Sequence, residues 1–385
     1  MTATPAPTPT PTPPSGRRAA SVVLAGGGTA GHVSPLLALA DELRRRDPNV
    51  RVTVLGTATG LETRLVPQRG YPLRTIPKVA FPRKPSAALL RLPQSLKAAV
   101  DAAGAILDEV DADVVVGFGG YVSTPAYLAA RRRGLPIAIH EQNVRPGLAN
   151  RLGARLTRFV ATTFAATRLP GARHLGMPLR TEISGLDRPA RRAEALEHFG
   201  LDADGGPVVL VTGGSSGAKR LNDTFAARVR ELSDAGIQVL HVTGAGKTFE
   251  PAALGDGAPY VVREYSDRMD LAFAAADLVV SRAGAGMVCE LTAVGLPAVY
   301  VPLPIGNGEQ RFNVAEVVAA GGGLVVDDAE LLPAWVDRVL VPLVRDRERL
   351  DLMATAASQV GTRDGDRRLA DLVEEAFAST SREGR

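Results

Sequence analysis

The sequence predicts an α/β protein of two Rossmann-like domains, each a parallel sheet covered by helices, facing one another across a cleft. Three observations carry the prediction. Short β-rich runs alternate with longer Ala/Leu/Arg helical patterns, and that alternation places parallel strands between covering helices. The series runs twice: residues 21–31 and 208–217 are each an apolar strand, a glycine-rich turn and a helix start. An irregular stretch, 170–189, separates the halves and sets a hinge near residue 180.

Taken in order, strands are expected at 21–25, 51–55, 114–117, 136–140 and 159–162, then at 207–212, 237–242, 260–262, 278–281 and 297–301. Helical patterns at 36–46, 87–109, 223–235 and 288–294 lie between them. Residues 1–16 are Thr/Pro/Ala-rich, cannot bury enough surface to offset ordering entropy, and are expected to be a disordered tail. The domains are expected at 17–180 and 181–362, with a last helical segment at 363–385, centred on 367–377, able to return to the first domain. In open α/β sheets ligands bind beyond the carboxyl ends of the strands, so two such domains share one cleft.

Composition sets the limits. A chain of 385 residues with 45% apolar and 4% aromatic content must build its cores from Ala, Val and Leu. Its one cysteine, Cys289, excludes an internal disulfide or cysteine-rich metal site and fits a reducing compartment. No run approaches the roughly 20 apolar residues of a membrane span, and the first segment lacks the apolar core of a signal peptide. The net charge of +4 is uneven: residues 17–97 hold fourteen Lys/Arg against four Asp/Glu, which suits an anionic partner.

Five segments carry candidate chemistry. Glycines 26, 28 and 31 of Gly26-Gly27-Gly28-Thr29-Ala30-Gly31-His32 satisfy G-x-G-x-x-G, a weak signal alone. The first acid after the second strand is Glu62, expected inside the next helix, and the missing ribose-binding acid counts against NAD. The loop is either a plain tight turn or a set of bare N–H groups offered to an anion at a helix N-terminus. His32 starts that helix, where the dipole disfavours its cation and leaves a neutral proton acceptor; a capping or packing histidine fits the position equally well. The second glycine loop, 212–220, suits phosphate. Residues 244–248 imitate a P-loop end but fail at His241, and read as a strand-to-helix turn. Residues 281–290 open a helix with Glu290 in its first turn, either a helix-start acid or an acceptor for vicinal ribose hydroxyls. Cys289 lacks a His–Asp partner pattern and is expected to be a buried small residue. His140-Glu141-Gln142-Asn143 ends a strand, and either points into the cleft toward a sugar or caps the following helix.

These segments, together with GFGGYVS at 117–123, GMPLR at 176–180 and GNGEQRFNVAE at 306–316, stand in an order that resembles the MurG family, the UDP-N-acetylglucosamine transferases of peptidoglycan synthesis. The resemblance covers nearly the whole chain after the tail. It implies a GT-B glycosyltransferase, peripheral to the cytoplasmic face of the bacterial membrane, moving GlcNAc from UDP-GlcNAc to the C4 hydroxyl of MurNAc on an undecaprenyl pyrophosphate carrier with inversion. It implies no bound cofactor and no metal. Carried over residue by residue, it assigns donor contacts to Thr29, Ala30, Gly31, Asn143, Arg180, Ser215, Ala285, Gly286, Met287, Val288, Cys289, Glu290 and Gln310. Ala30, Ser216, Met287 and Glu309 depart from the family's usual residues, which bears on donor contacts more than on the reaction.

Within that frame His32 is the candidate base, with Glu141 or a water as fallback. Arg180 and the second glycine loop would stabilise the departing diphosphate. Basic residues interleaved with apolar ones at 76–100, with Lys78, Phe81, Arg83 and Lys84 among them, suit an anionic membrane surface, and the 117–121 loop with Tyr121 suits the acceptor pyrophosphate. No nucleic-acid partner is expected. A UDP-GlcNAc 2-epimerase on the same frame, or a non-catalytic sugar-nucleotide-binding regulator, would dispense with the acceptor surface or with His32.

Overall fold

A computed structural model describes residues 19–79, 88–214, 217–251, 254–305 and 308–383. The tail expected at 1–16 lies outside the described residues, as do Phe81, Arg83, Lys84 and Ser215.

Among the described residues, thirteen strands form two all-parallel sheets. The first runs β3-β2-β1-β4-β5-β6-β7, with β1 Ser21–Ala25, β2 Arg51–Gly56, β3 Leu73–Thr75, β4 Val114–Gly117, β5 Ile137–Glu141, β6 Phe159–Thr162 and β7 Ala172–His174. The second runs β10-β9-β8-β11-β12-β13, with β8 Val208–Thr212, β9 Gln238–Val242, β10 Tyr260–Arg263, β11 Leu278–Ser281, β12 Ala298–Tyr300 and β13 Gly323–Val325. In each sheet the order reverses beside the first strand, between β1 and β4 and between β8 and β11. A crevice opens at such a reversal, so the topology sends the loops at 26–31, 117–121 and 282–284, and residues 213, 214, 217 and 218, to crevices.

Strand chemistry follows from burial on both faces. Val22 and Leu24 of β1 face one apolar cluster and Val23 and Ala25 the other, as alternating side chains must. Val208 and Leu210 of β8 divide from Val209 and Val211 in the same way. No helix is long and apolar enough to cross a membrane among the described residues.

The chain crosses between the sheets twice. Met177, Leu179 and Ile183 already pack in a cluster of the second sheet. The last helix, Gly365–Glu383, sets Leu369, Leu372, Val373 and Ala376 into the core of the first, at helical spacing. Arg46 ties that helix down through Asp371 and Glu374, 2.7 and 3.0 Å away. The crossings touch: a Cβ on Gly365 would fall 2.3 Å from the Met177 carbonyl oxygen, so only glycine lets them run side by side.

Several boundaries differ from expectation. The first helix starts at Ala30 rather than 36, taking Gly31 and Pro35 into its first turns. The helix expected at 223–235 is two, Lys219–Ala226 and Val229–Asp234. The short edge strands β3, β7 and β13 were not expected, and β7 lies inside the stretch read as irregular. Residues 244–248 form a turn on the way from β9 to β10; the next described helix, Met269–Ala275, comes only after β10.

Candidate active site

A cavity of about 970 Å³ lies between the two sheets. The first domain lines it with Thr29, Ala30, Gly31 and Pro35, the crossing with Met177–Arg180, and the second domain with Gly213, Gly214, Lys219, Arg282, Gly286, Glu290, Gln310 and Asp328, among others. Of the expected donor positions, Thr29, Ala30, Gly31, Arg180, Ala285, Gly286, Met287, Glu290 and Gln310 are thereby brought together. Val288 and Cys289 are not. Residues 285–293 are helical, so Gly286, Met287 and Glu290 share one face while Val288 turns into the core and Cys289 packs against it. Burial pushes the Cys289 thiol up, consistent with an inert residue.

The first glycine loop is not an empty anion cradle. Glu62, fully buried at the start of the helix Glu62–Gln68, turns its carboxylate back under the loop. The N–H of Gly28 donates to it at 2.8 Å, the N–H of Thr57 at 2.9 Å and the Thr57 hydroxyl at 2.7 Å. Burial pushes the Glu62 carboxyl up, but these donors outweigh it and hold it below the ordinary value. The absence of a ribose acid was legible in the sequence; that the acid belonged inside the loop was not, because the contact spans 34 residues. The loop after β4 packs against the same turn. Gly120 (φ +80°) comes so close that a Cβ would lie 2.8 Å from the Gly27 carbonyl oxygen.

His32 sits in the first turn, half-buried, with Nδ1 3.0 Å from Thr29 Oγ1 and Nε2 toward Gly119. Desolvation by burial lowers its pKa, and a backbone bond at Gly27 and the Glu62 charge oppose it. Burial thus favours the neutral imidazole near pH 7, in the same direction as the helix N-terminus.

The strand end at 140–143 turns inward, nearer the capping alternative than the cleft-facing one, with Glu141 bonding the start of the helix Leu148–Gly153. His140, Glu141 and Gln142 are buried. His140 Nε2 lies 3.0 Å from the Gly176 carbonyl oxygen, and burial pushes its pKa down to about 4. Glu141 accepts from Asn143 N at 2.9 Å, Gly147 N at 3.1 Å and Asn150 Nδ2 at 2.9 Å, with Tyr127 donating to Asn150 at 2.8 Å. A turning chain leaves N–H groups that need acceptors, and Glu141 supplies them. Its carboxylate oxygens are taken up by this turn and do not line the cavity; His32 also stands outside the lining residues, next to Gly31, which is one of them. Asn143 is half-buried, above this network and outside the cavity lining.

In the second domain, Glu290 lies in the second turn of its helix, not the first. Burial raises its pKa and Arg180 opposes the rise, with Arg180 Nη2 3.7 Å from Glu290 Oε1. Arg180 Nε is buried without a hydrogen-bond partner, an unmet donor of the kind an anionic ligand satisfies. Gln310 Oε1 accepts from Ala283 N at 3.2 Å and Leu303 N at 2.9 Å, leaving its amide nitrogen for a ligand. Arg282 and Asp328 form an ion pair of 2.6 Å in the cavity wall; Arg282 lies in the 281–290 segment, where the sequence pattern pointed to Glu290 alone. Lys78 and Tyr121 meet away from this cavity, the ammonium 4.6 Å from the ring centroid and the ring 41% exposed.

The chain matches the glycosyltransferase family 28 N-terminal domain over residues 22–162 and the family 28 C-terminal domain over 208–369. It is 58% identical over 354 residues to the UDP-N-acetylglucosamine--N-acetylmuramyl-(pentapeptide) pyrophosphoryl-undecaprenol N-acetylglucosamine transferase of Nocardioides sp. (strain ATCC BAA-499 / JS614), covering 91% of this chain and 97% of that one. Acinetobacter baumannii MurG superposes with a TM-score of 0.73 at 29% identity, over 92% of this chain and 99% of that one. A UDP-GlcNAc 2-epimerase from Neisseria meningitidis reaches a TM-score of 0.62 at 14% identity, over 92% of this chain and all of that one, a likeness of fold alone. The chain belongs to glycosyltransferase family 28 and, within it, to the MurG family of N-acetylglucosamine transferases.

Proposed function

We propose that this family member transfers GlcNAc from UDP-GlcNAc to the C4 hydroxyl of MurNAc in undecaprenyl-pyrophosphoryl-MurNAc-pentapeptide, inverting the anomeric centre, at the cytoplasmic face of the bacterial membrane. The observation that carries the reading is one cavity lined at once by Gly31 beside His32, by Arg180 and by Glu290. Glu290 takes the ribose hydroxyls. Arg180 exchanges its contact with Glu290 for the diphosphate, where its buried Nε gains an acceptor as charge develops on leaving UDP. His32, kept neutral by burial, takes the proton of the acceptor hydroxyl as the anomeric C–O bond to UDP breaks and the new one forms on the opposite face. The glycine loop after β4 lies on the acceptor side, and Lys78 with Tyr121 beside it supports docking on an anionic lipid surface.

The experiment is the complete reaction: purified protein, labelled UDP-GlcNAc and a lipid-linked MurNAc-peptide. Label passing to the lipid with equimolar UDP release is expected. Label remaining on nucleotide, or converted to an epimeric sugar without acceptor, would overturn the transfer. Flotation with anionic liposomes and not with neutral ones is expected of the membrane surface; equal behaviour on both removes it.

A further inference from the structure

Residues 309–313 form a short helix of the second domain that touches both halves of the molecule. Asn313 is 1% exposed, and its side chain is used at both ends. Its Oδ1 accepts from the N–H of Val144 at 3.1 Å. Its Nδ2 donates to Asn143 Oδ1 at 3.2 Å and lies 3.4 Å from the Ala283 carbonyl oxygen. Val144 and Asn143 belong to the first domain, Ala283 to the second. One turn earlier, Gln310 accepts from the N–H of the same Ala283, so both backbone polar groups of that residue are held by a single helix. Beside Asn313 the Arg145 guanidinium stacks 3.9 Å from the Phe312 ring centroid, a second contact between the same two segments. Behind Asn143, Thr167 Oγ1 donates to its carbonyl oxygen at 3.0 Å, and Glu141 interacts with its side-chain amide.

We propose that Asn313 is a positioning residue for the donor sugar, fixing the Asn143 turn of the first domain against the Ala283 loop of the second. The proposal rests on Asn143 as a sugar contact. Its chemistry is specific to an amide. The site presents one N–H and two carbonyl-type oxygens to Asn313, and only a group that accepts at one end and donates at the other satisfies them. Because a bound uridine diphosphate would be held by the second domain and the crossing, while the sugar reaches toward the first, loss of Asn313 penalises nucleotide sugar and spares the nucleotide.

The test compares Asn313→Ala, Asn313→Asp and Asn143→Ala with the unaltered full-length protein, measuring kcat and KM for UDP-GlcNAc and the inhibition constant of UDP. Asn313→Asp keeps the shape and the acceptor for Val144 but sets a carboxylate oxygen against Asn143 Oδ1, so it serves should the alanine variant fold poorly. Both Asn313 variants are expected to raise KM for UDP-GlcNAc about tenfold, the loss of one or two buried hydrogen bonds, with the UDP constant within about twofold of its original value, and Asn143→Ala is expected to do the same. A KM and a UDP constant that move together, or not at all, in the Asn313 variants overturn the positioning role. A tenfold loss in Asn143→Ala alone overturns it and leaves the Asn143 contact standing. An unchanged KM in Asn143→Ala overturns both.

Discussion

Two strand–glycine–helix units flank the cavity, residues 21–46 and 208–226, and their loops look alike: each has a strand buried on both faces, a glycine with φ above +70° and a helix beginning just beyond. Their electrostatics differ. The first loop is filled from beneath by the Glu62 carboxylate, so its need for an anion is met inside the protein. In the second, the Gly214 N–H donates weakly to the Thr212 hydroxyl, 3.3 Å away, the Gly217 N–H to the Gly214 carbonyl, and Lys219 and Arg220 follow. A phosphate arriving at the first loop would meet a carboxylate; at the second it meets Lys219 and Arg220, paired with Asp223 at 2.6 Å and with Asp328 at 3.7 Å. On the proposed reading the same local motif mounts His32 on one side and seats the diphosphate on the other, and the difference between them is a carboxylate 34 residues away.

That contrast is broken most directly by His32→Ala. If the first loop mounts a base, kcat falls about 10²- to 10⁴-fold with little change in KM for UDP-GlcNAc; steady-state kinetics with equal losses in both would assign His32 to donor binding instead. Arg180→Ala tests the diphosphate side. A drop of about 10² in kcat is expected from losing one charge-stabilising donor, and an unchanged kcat would mean that the second loop acts without the crossing residue.

Glu62→Gln sharpens the comparison by neutralising the first loop's internal anion. The variant is expected to lose about 2 kcal/mol of stability, since an amide cannot accept all three bonds and leaves buried donors unmet. The folded pKa of Glu62 lies below its ordinary 4.5. The ionised form therefore stabilises the fold fully above pH 4.5, and that contribution fades as pH falls through the lower folded value. Thermal unfolding midpoints of the two proteins should differ near neutrality and converge in acid; a gap that persists undiminished below the folded value would contradict the assignment. The smallest effect concerns the unaltered protein. Burial lowers the His32 pKa from 6.5, so the acid limb of kcat/KM has its midpoint below pH 6.5, and a pH–rate profile with the midpoint at or above that value would exclude His32 as the titrating base.

Ten strands were readable because each is a short apolar run, and all but the edge strand β10 are almost wholly buried, which periodicity reports. The three missed strands sit at or beside sheet edges, run for three residues each, and are only partly covered, as at Leu73 and Arg74. The early start of the first helix was hidden because Gly31 and Pro35 read as breakers; Gly31 falls in the first turn, while Pro35 lies inside the helix, where the packing of Val33, Leu36 and Leu37 carries it. The site was legible where a motif is itself the contact surface, as for Thr29–Gly31 and Gly286–Glu290. It was misread where a contiguous motif was taken to face one way: helical geometry turns Val288 and Cys289 inward, and the polar groups of Glu141 go to its own turn.

Sequence by itself determined the twofold α/β plan, the family, and which loops flank the cleft, because periodicity, glycine turns and motif order are local properties of the chain. Tertiary structure alone decided what each polar side chain faces. Glu62 under the first loop, Glu141 behind Asn150, Arg180 against Glu290 and Asn313 across to Asn143 are all set by groups distant in the chain, and the charge, hydration and orientation of a buried polar atom depend on those neighbours rather than on its own stretch of sequence.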